Sequence, residues 1–321
     1  MVITLKRWVI GVVVTVTLAA VAGLGGVAAG VIGQSGPVAS AGPGHDRPPG
    51  RDHLRAARPA LGRTGGRVGG GRHGTGNRQP ARHRASSDID WWVPRPGTAW
   101  QWQLTTPVDQ SIIAPIYDID GFENSSAVVE ALHDRGRRVI CYLDVGAAED
   151  FRPDYGSFPP GVLGKGDGSP GERYLDIRRI GTIGPIMAKR FDMCRAKGFD
   201  AVEADVVDGY ANDTGFPLTA ADQIRYNRYL AGLAHQRGLS IALKNDVEQV
   251  PSLVGDFDFS IDEQCAQYGE CDGLLPFIRT GKAVLEAEYY LSTTSFCPRV
   301  KALGFSAMRK PLSLDARRWP C

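Results

Sequence analysis

Eight short apolar runs between Trp100 and Met308 each give way to polar residues, and several carry carboxylates at alternate positions near their ends. The runs predict strands over Trp100–Leu104, Ile113–Ile119, Val139–Asp144, Ala201–Asp205, Ile241–Lys244, Phe257–Asp262, Ala283–Glu288 and Phe305–Met308. Helix-patterned segments precede several of them and stop at Arg135-Gly136, Lys197-Gly198 and Arg237-Gly238. A glycine there supplies a left-handed cap without a Cβ clash, and the cation suits the negative end of the helix dipole. Repeated helix, stop and strand predict a parallel eight-stranded α/β barrel.

Alternate side chains of a strand face opposite ways, so parity assigns candidates to the barrel axis. Glu203 and Asp205 share a face on the fourth strand, with Val202 and Ala204 on the other. The same reading turns Asp118 and Asp120, Tyr142 and Asp144, Lys244, Asp258 and Asp262, and Glu286 and Glu288 inward, and Trp100 and Trp102 outward. In parallel barrels the loops after the strand C-termini build the site, so the inward groups are expected to converge on one acidic mouth.

The first 90 residues belong to another class. Lys6-Arg7, an apolar stretch from Trp8 to about Ile32, and Ala39-Ser40-Ala41 predict a signal peptide or membrane anchor over residues 1–41. Residues 42–90 hold ten arginines against four aspartates and almost no large apolar side chains. Such a tract cannot bury enough surface to fold, and it is expected to be a disordered linker, with contact to an anionic envelope surface as a further option. No nucleic-acid module accompanies it. The chain is therefore expected to be secreted or extracytoplasmic, free or membrane-anchored by the N-terminal apolar segment, with a folded domain over residues 91–321.

From Trp91 onward there are 25 Lys and Arg against 31 Asp and Glu, a net charge of −6, although the whole chain is +2. An acidic domain favours neutral or cationic partners. All six cysteines lie in this domain, which for an exported chain suggests disulfides. Cys265 with Cys271 and Cys297 with Cys321 are the natural pairs, whereas Cys141 and Cys194 fit either a bond or two free thiols. Four of the six histidines are in the tail, leaving His133 and His235 on predicted helices. No Gly-x-Ser-x-Gly, His-Glu-x-x-His or Cys-x-x-Cys motif occurs, so serine–histidine, zinc and dithiol chemistry are disfavoured. The glycine-rich stretch from Gly161 to Gly168 lacks the Lys-Ser/Thr ending of a P-loop and is expected to be a mobile loop. Paired carboxylates remain, which is the equipment of glycosidic cleavage through an oxocarbenium-like transition state.

The phrases Trp91-Trp92-Val-Pro-Arg-Pro-Gly-Thr-Ala-Trp-Gln-Trp-Gln-Leu104, Tyr117-Asp-Ile-Asp-Gly121, Val139-Ile-Cys-Tyr-Leu-Asp-Val-Gly146, Gly198-Phe-Asp-Ala-Val-Glu-Ala-Asp-Val-Val-Asp-Gly-Tyr210, Leu243-Lys-Asn-Asp246 and Asp262-Glu-Gln-Cys-Ala-Gln-Tyr-Gly-Glu-Cys271 resemble glycoside hydrolase family 114. That family comprises endo-α-1,4-polygalactosaminidases and spherulin-4-like proteins. The family pattern reads Val-Glu-Pro-Asp-Asn-Val-Asp-Gly-Tyr where this chain has Ala204 and Val206 at the third and fifth positions. The resemblance implies a TIM-type (β/α)8 barrel, a polysaccharide substrate containing galactosamine, and no metal or cofactor. It implies a catalytic pair at Asp205 and Glu263, with Asp205 as nucleophile and Glu263 as acid/base by analogy with other retaining barrels. Parity alone would have preferred Asp262 to Glu263. Asp120, Tyr142, Asp144, Glu203, Lys244, Asn245, Tyr268, Glu286 and Glu288 are the substrate-binding candidates. The alternatives are a carbohydrate-binding or envelope-structural protein on the same barrel, or a hydrolase of another α-linked hexosaminide or galactoside.

Overall fold

The structure is a computed structural model that describes residues 91–321. The expected signal or anchor (1–41) and the basic linker (42–90) lie outside the described residues. Eight parallel strands form the barrel sheet: β1 (Trp100–Gln103), β2 (Ile116–Asp120), β3 (Arg138–Asp144), β4 (Ala201–Asp205), β5 (Ser240–Lys244), β6 (Phe259–Glu263), β7 (Val284–Glu288) and β8 (Ser306–Arg309). They are hydrogen-bonded in sequence order, and Trp319–Pro320 adds a short antiparallel strand beside β8. The Trp100 indole N–H donates to the Ser306 carbonyl across the seam between β1 and β8. Among the described residues no helix is long and apolar enough to cross a membrane.

Helices stop where the sequence says they should. Gly136, Gly198 and Gly238 take φ of +71°, +91° and +65°, the left-handed region that closes a helix end. Val139, Cys141, Leu143, Val202, Ile241, Leu243 and Val284 face the outer helices and join the larger apolar cluster there. The barrel interior is a second cluster, in which Ala201, Ala242, Ala283 and Ala287 sit with Trp100, Trp102, Phe259 and Ile261. Small residues on the middle and later strands leave the axial volume that two indoles fill, in keeping with the packed interior of such barrels.

Three parity assignments are thereby corrected. Trp100 and Trp102 point inward, into the space the alanines leave. On β6 and β7 the inward residues are Phe259, Ile261, Ala287 and Tyr289, so Asp262, Glu286 and Glu288 face outward with Ser260 and Val284. There Glu288 Oε1 accepts from the Ala266 and Gln267 backbone N–H groups at 2.9 and 3.1 Å. Asp258 is spent on His235 and on the Ile241 N–H. Because β6 carries Asp262 and Glu263 in succession, charge alone could not tell its faces apart.

Cys141–Cys194, Cys265–Cys271 and Cys297–Cys321 are disulfide-bonded. The glycine-rich stretch expected to be a loop is instead a short 3-10 turn (Pro160–Val162) and a strand (Leu163–Gly166). With Ala147–Glu149 and Glu172–Leu175 it forms a three-stranded antiparallel sheet inserted after β3.

The turns after β4, β5 and β6 share an uncommon conformation. Val206, Asn245, Asp246 and Gln264 have φ of +59°, +50°, +46° and +66°. A β-branched residue suits that region poorly, whereas asparagine tolerates it. Val206→Asn is expected to stabilise the fold by about 1 kcal/mol, read from chemical denaturation; an unchanged or lower midpoint would show the strain is absent. The same turn presses on β3: a Cβ at Gly146 would lie 1.6 Å from the Val206 carbonyl oxygen. Gly146→Ala is therefore expected to destabilise by roughly 3 kcal/mol or more.

Candidate active site

The C-terminal ends of β1 to β6 deliver a compact ionic cluster around Lys244. Its Nζ lies 3.0 Å from Glu203 Oε1, 3.2 Å from Asp205 Oδ1 and 3.0 Å from Glu263 Oε2, and 4.8 Å from the centre of the Trp102 ring. The Lys244 and Glu203 side chains are 1% and 0% exposed, Asp205 3% and Glu263 11%. Glu263 is thus the member nearest solvent. Its side chain turns inward because β6 does, and it accepts a short hydrogen bond from the Tyr289 hydroxyl. Asn245 Oδ1 accepts the Glu263 backbone N–H at 3.0 Å, and Asp205 Oδ1 accepts that of Val206 at 2.8 Å.

One buried cation against three carboxylates sets the protonation pattern. Burial works against the Lys244 charge, but Asp205, Glu263 and Glu203 outweigh it and hold the ammonium well above its ordinary range. Burial raises Glu203 to about 7, with Lys244 opposing and Asp205 assisting. Burial also raises Asp205, but Lys244, the Val206 N–H and the Tyr142 hydroxyl all favour its ionised form. Beneath them Asp118, fully enclosed, is pushed well above the carboxylate range by burial and by Glu203. Asp118 is therefore the natural holder of the proton it shares with Glu203, and Asp205 is the carboxylate whose neighbours most favour the anion.

The other candidates divide. Tyr142 and Asp144 reach the mouth from β3, where Asp144 pairs in register with Asp205. Tyr142 is nearly enclosed, and the Asp144 Oδ1 accepts from the Gly146 and Ala147 N–H groups. Asp120 points inward but is engaged by Arg152, which bridges it to Glu149. Lys244 is a buried clamp and does not reach outward to a ligand. Glu286 and Glu288 are not brought to the site at all. Tyr268 is 59% exposed, on the segment after β6, with Tyr290, Glu270 and Glu263 among its charged or polar neighbours.

Four residues near the cluster are not announced by the sequence pattern. Trp102 lies inward over Lys244, and Tyr289 reaches Glu263 with its hydroxyl. Tyr290, 57% exposed beside Tyr268, carried no signal of its own. Asp208 is half-buried, and burial together with Asp205 raises it to about 6; its place in the Val-Val-Asp-Gly-Tyr phrase was the available clue. The two helical histidines are structural, His133 on Asp200 and His235 on Asp258. Two surface hollows, one lined by Trp91, Trp92, Arg138 and Asp200 and the other by Gly97, Trp100 and Phe305, lie among residues at the starts of the strands, away from this cluster.

A parallel barrel with paired carboxylates at its C-terminal mouth defines a glycosidase. The chain matches the model of glycoside-hydrolase family GH114 over residues 81–321 and belongs to that family. It is similar to Aspergillus fumigatus Ega3, solved in complex with galactosamine, at 40% identity and a TM-score of 0.69, covering 72% of this chain and 97% of that one. The glycoside hydrolase domain of PelA from Pseudomonas aeruginosa shares the fold at 15% identity and a TM-score of 0.54, covering 70% of this chain and 98% of that one. No curated protein sequence matches the chain.

Buried carboxylates make the fold's stability depend on pH. Glu203, Asp208 and Asp246 are raised to about 7, 6 and 8, above the 4.5, 3.8 and 3.8 of the free groups, chiefly by burial. A raised acid binds protons in the folded state that the unfolded chain has released, so its contribution is full below the ordinary range and is lost as pH rises through the folded value. The melting temperature is expected to fall between about pH 5 and pH 8, and Glu203→Gln to flatten part of the slope. Melts at constant ionic strength test this; a profile that climbs toward neutrality would contradict it.

Proposed function

We propose that this glycosidase cleaves α-1,4-linked, galactosamine-containing polysaccharide at internal bonds with retention of configuration, Asp205 acting as nucleophile and Glu263 as acid/base. The observation that carries the mechanism is the shared clamp. Asp205 Oδ1 and Glu263 Oε2 lie 3.2 and 3.0 Å from one Lys244 Nζ, so they are at most 6.2 Å apart. Inverting enzymes need about 6.5–9.5 Å between carboxyl groups to admit a water, whereas retaining ones use about 5–5.5 Å.

In the first step the ionised Asp205 attacks the anomeric carbon from the face opposite the leaving group, and Glu263 gives its proton to the departing glycosidic oxygen. Glu263 then takes a proton from the incoming water, which releases the sugar from Asp205. Lys244 keeps Asp205 ionised from beneath and stays out of the sugar's path. Glu203 belongs one layer deeper on β4, too enclosed to meet the bond being cut. The substrate class is supported by the Ega3 likeness and by charge: deacetylated galactosamine is cationic, and the domain from Trp91 onward is net −6. Tyr268 and Tyr290 offer exposed rings on which a sugar face can stack.

The purified protein incubated with neutral, acetylated and deacetylated polysaccharides should generate new reducing ends from galactosamine-containing polymer. Asp205→Asn and Glu263→Gln should each lower turnover on the order of 10²-fold or more. Near wild-type rates in both would shift the assignment to Glu203. Proton NMR of the first-formed product should show the α-anomer from an α-linked substrate; an initial β-anomer would recast Asp205 as the base that activates water.

Three disulfides in the described domain support an oxidising, extracytoplasmic location, with the N-terminal apolar stretch as leader or anchor and the arginine-rich linker as a contact to anionic envelope. Cell fractionation should recover the protein outside the cytoplasm, and deleting residues 42–90 should weaken retention on envelope fragments while leaving turnover of soluble oligosaccharide unchanged. Recovery from the cytoplasm would refute the location.

A further inference from the structure

A second acidic group lies beside the catalytic cluster and takes no part in the mechanism above. Asp144 at the end of β3, Asp167 in the turn of the inserted sheet and Glu172 on its last strand each offer an oxygen, all within 4.8 Å of one another. What marks this trio off from an ordinary acidic patch is the absence of any donor where one is most needed. Asp144 is 0% exposed. Its Oδ1 is taken by the Gly146 and Ala147 N–H groups at 3.1 and 2.7 Å, while its Oδ2 is buried with no hydrogen-bond partner. Asp167 Oδ2 and Glu172 Oε2 are buried and unpartnered in the same way. Two arginines of this region are committed elsewhere: Arg152 binds Glu149 Oε2 and both Asp120 oxygens, and Arg173, next to Glu172 in the chain, donates to the Leu163 and Gly164 carbonyls.

We propose that Asp144, Asp167 and Glu172 bind a calcium ion that ties the inserted antiparallel sheet to the end of β3. All the donors are carboxylate oxygens, the chemistry of a hard cation, and calcium tolerates the irregular geometry that a hairpin and a strand end provide. Calcium–oxygen distances of about 2.3–2.6 Å place two ligands of one ion at most roughly 5 Å apart, and the trio fits within that span. A divalent charge answers three clustered carboxylates, each with a buried oxygen that no hydrogen-bond donor reaches. The role is structural. Asp144 is the register partner of Asp205, so the ion would fix the wall of the mouth next to the proposed nucleophile. The sheet is also held there by the Leu175 N–H on the Gly146 carbonyl at 2.8 Å and the Lys165 N–H on the Thr214 carbonyl at 2.9 Å.

The test uses the full chain, stripped with a chelator and dialysed. Elemental analysis after dialysis against calcium should find about one equivalent bound, and 100-fold excess over the dissociation constant should raise the melting temperature by roughly 5–10 °C. Asp167→Asn and Glu172→Gln, both away from the catalytic cluster, should fold by circular dichroism and lose the calcium response. Their calcium-free melting temperatures should match or exceed that of the stripped wild type, because a buried like charge has gone. No bound calcium together with an unmoved wild-type melting temperature overturns the proposal in favour of carboxyls sharing protons. A calcium response retained in both variants places the ion elsewhere, and a response to magnesium but not calcium overturns the assignment of the metal.

Discussion

One ammonium group holds the mouth of this barrel together. Lys244 is the cation of the innermost site, and two strands, β4 and β6, present three carboxylates to it at 3.0–3.2 Å. Burying that many like charges without it would cost several kcal/mol per ion. Breaking the arrangement from either side leaves an uncompensated charge in a dry interior, so the cluster constrains everything around it: the inward parity of β4, β5 and β6, the tight turns above them, and the indole of Trp102 over the Lys244 ammonium. The same constraint sets chemical roles. Proximity to Lys244 keeps Asp205 ionised, distance from solvent lifts Glu203, and Glu263 stands at the rim with Tyr289 as its hydrogen-bond donor.

The strand ends show how backbone conformation serves the same purpose. Asp205, Lys244 and Glu263 are each followed at once by a residue in the left-handed region. A strand that continued straight would carry the next side chains up and away from the axis; a left-handed residue turns the chain sideways and leaves the functional side chain as the last one over the mouth. The turn also frees a backbone N–H to support the site, as Val206 does for Asp205. Such strain is concentrated where function needs it, and Gly146 just after β3 is the complementary device, a residue without a Cβ where the Val206 carbonyl crosses.

Much of this was legible in the sequence, and the failures have a common cause. Helix stops at Arg135-Gly136, Lys197-Gly198 and Arg237-Gly238 fixed the period of the repeat, and Glu203 and Asp205 alternating with Val202 and Ala204 fixed the faces of β4. Parity works where one face is apolar and the other is not. It failed on β7, where Glu286 and Glu288 are buried against the outside and Glu288 Oε1 accepts from the N–H groups of the helical turn after β6, a compensation that only folding creates. It failed on β1 because tryptophan is apolar on either face; the deciding fact is the alanines at 201, 242, 283 and 287 across the barrel. On β6 the family phrase carried Glu263 where parity preferred Asp262, and the inward face of β6 belongs to Glu263.

The distribution of charge around the mouth follows from the same economy of cations. Lys244 serves the inner cluster and Arg152 serves Asp120 and Glu149, so Asp208 has only the partial opposition of Lys244 and Asp246 that of the Asn227 amide. Burial and their anionic neighbours raise both. A rim of this kind is unfavourable when empty and ionised, and it becomes less so when a positive charge is brought to it. The amine of a deacetylated hexosamine is acidified by its neighbouring oxygens and loses its proton near neutrality, so the attraction for a cationic polymer is greatest where Asp208 has ionised and the amine has not. Below that limit, rising pH sharpens the attraction while it loosens the unliganded fold, and the two draw on the same carboxylates with opposite pH dependence.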